Sequence, residues 1–216
     1  MDAALKNSSP LVYPFLATLA WTGMRPDKEA RLLRWEQIDW GAAGQVLVGQ
    51  SKTAAGSGRV IPMSQDLRSA LEQHRVRYED WFGPIRPGWF VFPFSNRRPV
   101  DPERPMTSLK KAWGAILRKT GVSCRLYDFG RHSFCTKLAE AGVPESVMLD
   151  LMGHVSRRML QRYSHIRAQA RREAIRAVEA RFGWGPQSFP QSQAIDGKLI
   201  DRKLMKQKVR AVSSAG

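Results

Sequence analysis

Glycine closes the helical stretches of this chain at short intervals. Apolar periodicity runs over residues 11–22 and stops at Gly23, and a second run from Thr107 stops at Gly121. Three later runs stop at Gly142, Gly153 and Gly183. Lacking a Cβ, glycine enters the left-handed conformation in which helices end, so these positions read as stops. The chain is thereby confined to a set of short helices. The expected pieces are a helix over 11–22 with Pro14 in its first turn, and a second from about Pro26 or Asp27 carrying Ala30, Leu32, Leu33 and Trp35 inward. Ser64 is the expected N-cap of a helix reaching about Arg77. Beyond Thr107, where Leu109, Trp113, Ile116 and Leu117 share a face, helices follow over about 131–141 and 144–152, around Tyr163, and over 168–182.

Only one part of the pattern is strand-like. QVLVGQ (45–50) and RVIPM (59–63) are short β-prone runs joined by the glycine-bearing TAAGSG, which predicts a β-hairpin. Residues 82–106, rich in Pro, Gly and Arg, read as loop with WFVF (89–92) as a short strand. The expected class is therefore mainly α with a small antiparallel β-sheet (α+β), without internal repeats. Residues 1–10 are a lead-in, 11–183 one domain, and 184–216 a tail. That tail carries six Lys or Arg against two Asp among Ser, Gln and Pro, and is expected to stay disordered until it meets a partner.

Composition narrows the partners. Thirty-five Lys and Arg against 19 Asp and Glu give +16 over 216 residues, a surplus that favours polyanions because each neutralised phosphate releases counterions. Nucleic acid leads; an anionic membrane surface or a ribosomal site would also suit. No apolar run approaches the roughly 18 residues a membrane helix needs, and MDAALKNSSP lacks the features of a secretory signal. Cys124 and Cys135 have neither metal-ligand spacing nor a disulfide framework and read as reduced thiols of a cytosolic protein.

Three segments hold residues suited to phosphate chemistry. In TGMRPDKEARLLRWEQIDW, Arg25 follows the Gly23 stop, where a guanidinium can make two parallel hydrogen bonds to a phosphate; by itself it reads as an ordinary surface arginine. Lys52, in QSKTAAGSGRVIPM, stands at a turn from which an ammonium can hand a proton to a leaving oxygen, or it is a solvated loop lysine. The third, RLYDFGRHSFCTKLAEAGVPESVMLDLMGHVSRRMLQRYSHIR, gathers Arg131, His132, His154, Tyr163 and His165 within 35 residues. His154 follows a glycine turn and Tyr163 comes nine residues later; a lone helical tyrosine is more often core or surface than catalytic.

Taken together, TGMR, the SKT…R hairpin, RHSF…GVPESVMLDLMGH and the following tyrosine resemble the tyrosine recombinase (phage integrase) family over about residues 10–182. The resemblance implies the DNA breaking-rejoining enzyme fold of that family's catalytic domain. It also implies site-specific strand cleavage and rejoining through a 3′-phosphotyrosyl intermediate, with neither metal nor other cofactor. Residue by residue, it makes Arg25 and Arg131 the phosphate clamp, Lys52 the general acid, His154 a supporting histidine and Tyr163 the nucleophile. His165 is then a neighbour without a catalytic role. Double-stranded DNA is the implied partner and a homo-oligomer, a tetramer on DNA, the implied assembly. The implied setting is the nucleoid of a prokaryote or the life cycle of a phage, with no membrane.

Three features depart from the family pattern. Three residues before Arg131, where a His or Lys is customary, stands Asp128; an extra Gly130 would instead put Tyr127 in that place. Asp128 is also a candidate base for the phenol. Glu29 falls four residues after Arg25 where three is usual. Only about ten residues precede the first helix, where family members generally carry a separate DNA-clamping domain. A catalytically impaired DNA-binding remnant and a type IB topoisomerase-like enzyme are the alternative readings. Backbone contacts to DNA are expected from Arg97, Arg98, Lys110 and Lys111, with Arg86 and Arg104 on the same loop as the first two.

Overall fold

The computed structural model describes residues 9–51, 56–95, 100–153 and 164–182. Contacts within the chain divide it into two units, Met1–Arg172 and Glu173–Gly216. Six α-helices are described: α1 (Val12–Thr22), α2 (Gln65–Phe82), α3 (Lys110–Thr120), α4 (Ser133–Glu140), α5 (Glu145–Met152) and α6 (Ser164–Phe182). The strands are β1 (Ile38–Asp39), β2 (Gln45–Leu47), β3 (Val60–Pro62), β4 (Pro93–Phe94) and β5 (Asp101–Pro105). No described helix is long and apolar enough to cross a membrane. The tail after residue 182 lies outside the described residues.

Helix α1 is the centre of the first unit. Val12, Phe15, Leu16 and Leu19 are almost fully buried, each such side chain contributing about 1.5–3 kcal/mol. Its two buried threonines bond back along the helix, Thr18 Oγ1 donating to Pro14 O at 2.9 Å and Thr22 Oγ1 to Thr18 O at 2.5 Å. Around α1 pack Leu67, Leu71 and Tyr78 of α2, Val46 and Ile61 of the sheet, and Trp113 and Ile116 of α3. A smaller apolar cluster joins α4 to α5 through Phe134, Cys135, Ala139, Met148 and Met152. Cys124 is half-buried and Cys135 buried, and no disulfide joins them.

The expected hairpin forms: β2 and β3 pair antiparallel with Val46 opposite Ile61, and β1 adds an edge with Ile38 opposite Val46. Ser64 caps α2, its Oγ accepting from Leu67 N at 3.2 Å, and the helix runs on to Phe82, beyond the expected end near Arg77. Two expectations are corrected. The helix expected from Pro26 is instead a run of turns, with short 3₁₀ pieces at Ala30–Leu32 and Trp35–Gln37. Leu33 turns extended there so that its carbonyl can accept from Val91 N at 2.9 Å, and the tertiary partner overrides helical propensity. The strand expected over 89–92 is likewise displaced. Phe90 donates its N–H to Pro102 O, Val91 to Leu33 O, and Phe92 accepts from Met106 N, so regular pairing begins only at Pro93.

His74 shows why residues 90–92 stay in place. Its Nε2 donates to Val91 O at 2.7 Å, its ring stacks on Phe92 with 5.7 Å between centroids, and Tyr78 Oη donates to Phe90 O at 2.9 Å. The other ring nitrogen, Nδ1, is buried without a partner among the described residues, so protonation would create an unsatisfied buried cation. Burial accordingly lowers the His74 pKa from 6.5 to about 4, helped by the nearby Arg77 charge. The unfolded chain therefore binds the extra proton first. Stability is whole above pH 6.5 and falls as pH drops from 6.5 towards 4, by up to about 3 kcal/mol. Urea midpoints near neutrality and near pH 4.5 will show this drop, and His74→Gln, which keeps an N–H but not the titration, will largely remove it. Equal drops in both proteins would sink the assignment.

Candidate active site

Four segments meet at one end of α1. Helix α1 ends at Gly23 with φ +61°, and a Cβ there would lie 2.5 Å from the Phe134 ring of α4, so the close approach of the two helices needs glycine. Beyond it the chain makes a wide turn: Ala30 N donates to Arg25 O and Arg31 N to Pro26 O, each at 3.0 Å and each spanning five residues instead of four. The residue in excess between Arg25 and Glu29 is absorbed in that turn, and Glu29 still meets Arg25.

Glu29 is the hub. Its side chain is fully buried and takes bonds from four donors: Arg25 N at 2.9 Å, Arg25 Nη1, Ser51 Oγ at 2.6 Å and Arg59 Nη2 at 2.6 Å. Burial alone would raise its pKa. The Arg59 and Ser51 hydrogen bonds, the Arg59 charge and the Arg25 amide outweigh it and hold the carboxyl near 2. Arg25 Nη1 also donates to Ser51 Oγ at 3.0 Å.

A second bulge serves Arg131. Residues Asp128–His132 form a π-helical turn ahead of α4, the form a helix takes when one residue is inserted. The bulge contains Gly130, whose Cβ would lie 3.0 Å from Leu19 Cβ and 3.3 Å from Leu19 O; the turn lies flush on α1. Tyr127, four residues before Arg131, stands just ahead of it with its ring edge-on to His132 at 5.6 Å. Arg131 is 1% exposed. Its Nη1 donates to Gly23 O at 3.0 Å, and its Nη2 to Met152 O at 2.5 Å and Gly153 O at 3.1 Å. Its buried Nε has no partner among the described residues. Burial first, then the neighbouring Arg25 charge, lowers its pKa to about 10, which leaves it cationic at neutral pH.

Each remaining expected site residue has a definite standing. Ser51, next to Lys52, and Gly153, next to His154, both belong to this cluster. Lys52, His154, Tyr163, Arg97 and Arg98 lie outside the described residues. Asp128 is engaged elsewhere, accepting from Arg125 Nε at 2.8 Å and Nη2 at 3.0 Å, with His132 Nε2 3.6 Å away. The Arg125 hydrogen bonds hold its carboxyl below the usual aspartate range, which makes it a weaker base, the opposite of what a phenol proton requires. Lys110 and Lys111 are exposed in the first turn of α3. Cations at a helix N-terminus oppose the macrodipole, so these two lysines are not there for the helix. Arg86 and Arg104 lie over the rings of Trp89 and Phe94 at 5.3 and 4.5 Å.

In the sequence Glu29 stands out only for its spacing, and Ser51 and Arg59 only as parts of the SKT…R hairpin. They lie 22 and 30 positions from Glu29, and each taken singly reads as an ordinary polar residue beside a turn or strand.

The sequence profile of the phage integrase family matches residues 1–170. The chain is 26% identical to the integrase of Salmonella phage P22 over 183 residues, covering 82% of this chain and 44% of that protein. It is 36% identical to an integrase of Saccharopolyspora erythraea over 99 residues, 45% of this chain and 21% of that one. It thus spans less than half the length of these curated relatives. Among solved structures, the XerA recombinase superposes with a TM-score of 0.59 at 22% identity, covering 80% of this chain and 59% of that one. The catalytic domain of bacteriophage HP1 integrase gives 0.55 at 17%, covering 88% and 92%. Arg25, the hairpin, Arg131 and the Gly153 turn lie inside the matched region, and the fold is that of tyrosine recombinase catalytic domains. This chain belongs to the phage integrase family of tyrosine recombinases.

Proposed function

We propose that the protein is a tyrosine-type site-specific recombinase that breaks and rejoins double-stranded DNA. The observation that carries this is the convergence on the end of α1 of Arg25, Arg131 and the residues that adjoin Lys52 and His154. In the reaction, the Tyr163 phenolate attacks a backbone phosphorus, the bond to the 5′ oxygen breaks, and that oxygen takes a proton from Lys52. A 3′-phosphotyrosyl bond holds the strand until another 5′-hydroxyl reverses the step. Arg25 and Arg131 stabilise charge on the non-bridging oxygens, with His154 beside them. A free phenol has a pKa of about 10, and two adjacent guanidiniums favour its ionised form.

The hydrogen bonds described for the Arg25 side chain leave from Nη1 alone, so Nε and Nη2 point to the phosphate role. Three of the five N–H groups of Arg131 are spent on carbonyls, leaving Nε–H and one Nη1–H. Lys110, Lys111, Arg97 and Arg98 track the DNA backbone, giving affinity and register without sequence choice. Residues 11–183 form the catalytic domain, and the basic stretch 184–216 adds non-specific attraction. The active assembly is a tetramer on DNA. Ile175 and Val178, exposed on α6, suit docking between protomers. The setting is the cytoplasm of a prokaryotic host.

The burial of Arg131 favours one competing reading, a DNA-binding remnant without turnover. Nicked suicide duplexes tiled across the DNA flanking the gene separate the two. A covalent protein–DNA adduct on a denaturing gel, absent with Tyr163→Phe, supports the recombinase. Salt-sensitive DNA retention with no adduct on any duplex supports the remnant.

A further inference from the structure

We infer that Arg59, at the entrance to β3, is a positioning residue that sets the proton-donating hairpin against the phosphate clamp. The inference rests on the recombinase reading above and adds a residue to which that reading gives no role. Arg59 is 8% exposed, and its guanidinium is divided among three segments. Nη2 donates to Glu29 Oε2 at 2.6 Å, on the turn that holds Arg25. Nη1 donates to Gly56 O at 2.6 Å, in the hairpin connection. Nε donates to Leu151 O at 3.0 Å, in the last turn of α5.

Both ends of the hairpin connection are tied to this point. Ser51, which precedes Lys52, donates its hydroxyl to the same Glu29 and its N–H to Ser57 Oγ at 2.9 Å. Gly58 N donates to Val48 O at 2.8 Å. On the other side, a Cβ on Gly153 would fall 2.8 Å from Gly56 Cα and 3.0 Å from Arg59 Cδ, so the turn that delivers His154 is packed directly on the hairpin and on this arginine. One planar guanidinium thereby ties together the Arg25 turn, the hairpin ends at Ser51 and Gly56, and the Gly153 turn. A lysine could keep the charge opposite Glu29, but a single nitrogen cannot span the three acceptors.

The arrangement predicts a particular defect. If Arg59 aims the hairpin, its loss removes proton delivery to the leaving 5′ oxygen, a step that contributes about 10²–10⁴ in rate. A 5′-bridging sulfur leaves as a thiolate without needing that proton, so it should relieve the defect. With Arg59→Lys, adduct formation on ordinary phosphate duplexes should fall about thirtyfold, and on 5′-thio duplexes it should stay within about threefold of the unaltered protein. Lys52→Ala, run in parallel, should show the same relief.

Hydrogen exchange of the full chain supplies an arm that needs no DNA. In Arg59→Lys the Ser51, Gly58 and Gly153 amides should exchange faster while those of α2 keep their protection. Unchanged exchange at those three amides overturns the inference. Faster exchange with a cleavage defect that sulfur fails to relieve, while Lys52→Ala is relieved, also overturns it, because the role is then structural only. If Lys52→Ala is not relieved, the general-acid assignment falls. In that case, or if no duplex yields an adduct, the exchange arm alone decides whether Arg59 holds the hairpin.

Discussion

Glu29→Ala is expected to cost about 3–5 kcal/mol of folding stability, the usual result of stranding buried charges by removing their partner. The carboxylate is fully buried and stands between the partly exposed side chain of Arg25 and the buried side chain of Arg59. Without it two like charges face each other and Ser51 loses the group that receives its proton. Urea denaturation at neutral pH measures the loss. Arg59→Met in the same background should recover part of it, since the stranded cation goes with its partner, so the two costs should be less than additive. A cost below about 1 kcal/mol for Glu29→Ala would mean that the carboxylate does not hold this end of the domain together. The same network has an acid limit. The pKa of Glu29 falls on folding from 4.5 to about 2, so its contribution is complete above pH 4.5 and drains away as pH falls through 2, below the window assigned to His74.

Gly153→Ala should be the second large effect, at about 2–4 kcal/mol, from left-handed backbone strain and overpacking together. Its φ is +57°, and the new Cβ would sit 2.8 Å from the backbone of Gly56, which cannot rotate away as a side chain could. Gly121→Ala is the internal control. That residue lies in the left-handed helical region, at φ +68° and ψ 7°, with no atom within 4 Å of the added Cβ, so it should lose about 1–2 kcal/mol of strain alone. Gly153, at φ +57° and ψ 114°, lies outside that region and is the more strained. Equal costs at the two glycines would remove the clash from the account. A larger loss at Gly153, together with weaker adduct formation, is expected because the residue it misplaces next is His154.

The hairpin, the capped start of α2 and the glycine ends of α1, α3 and α5 were legible because each is a local matter. A side-chain oxygen three residues from an amide, a missing Cβ or a short alternating run has its effect within one turn of chain. The order Arg25, Lys52, Arg131, His154, Tyr163 was legible for a different reason, since together they carry the family resemblance. What misled was also local. Residues 26–35 have the composition of a helix, but Leu33 turns extended to accept from Val91 N, and Trp35 N, entering a 3₁₀ turn, donates to Trp89 O, both partners more than fifty residues away.

The two departures from the family pattern divide along the same line. From the chain alone one can see that a residue is in excess after Arg25 and another before Arg131, and that glycine is one of them. Only the folded molecule shows where the excess goes. Both are taken up in turns that span five residues, one of which lies against Leu19, so Glu29 still reaches Arg25 and Arg131 still reaches the carbonyls of Gly23 and Gly153. The sequence by itself thus determined the family and nominated the residues proposed for its chemistry, because residue type and order are sufficient for that. Tertiary structure alone decided that Glu29, Ser51 and Arg59 hold the Arg25 turn, the hairpin and the end of α5 together, because the contacts that join those segments lie 22 to 92 positions apart and no local pattern encodes such distances.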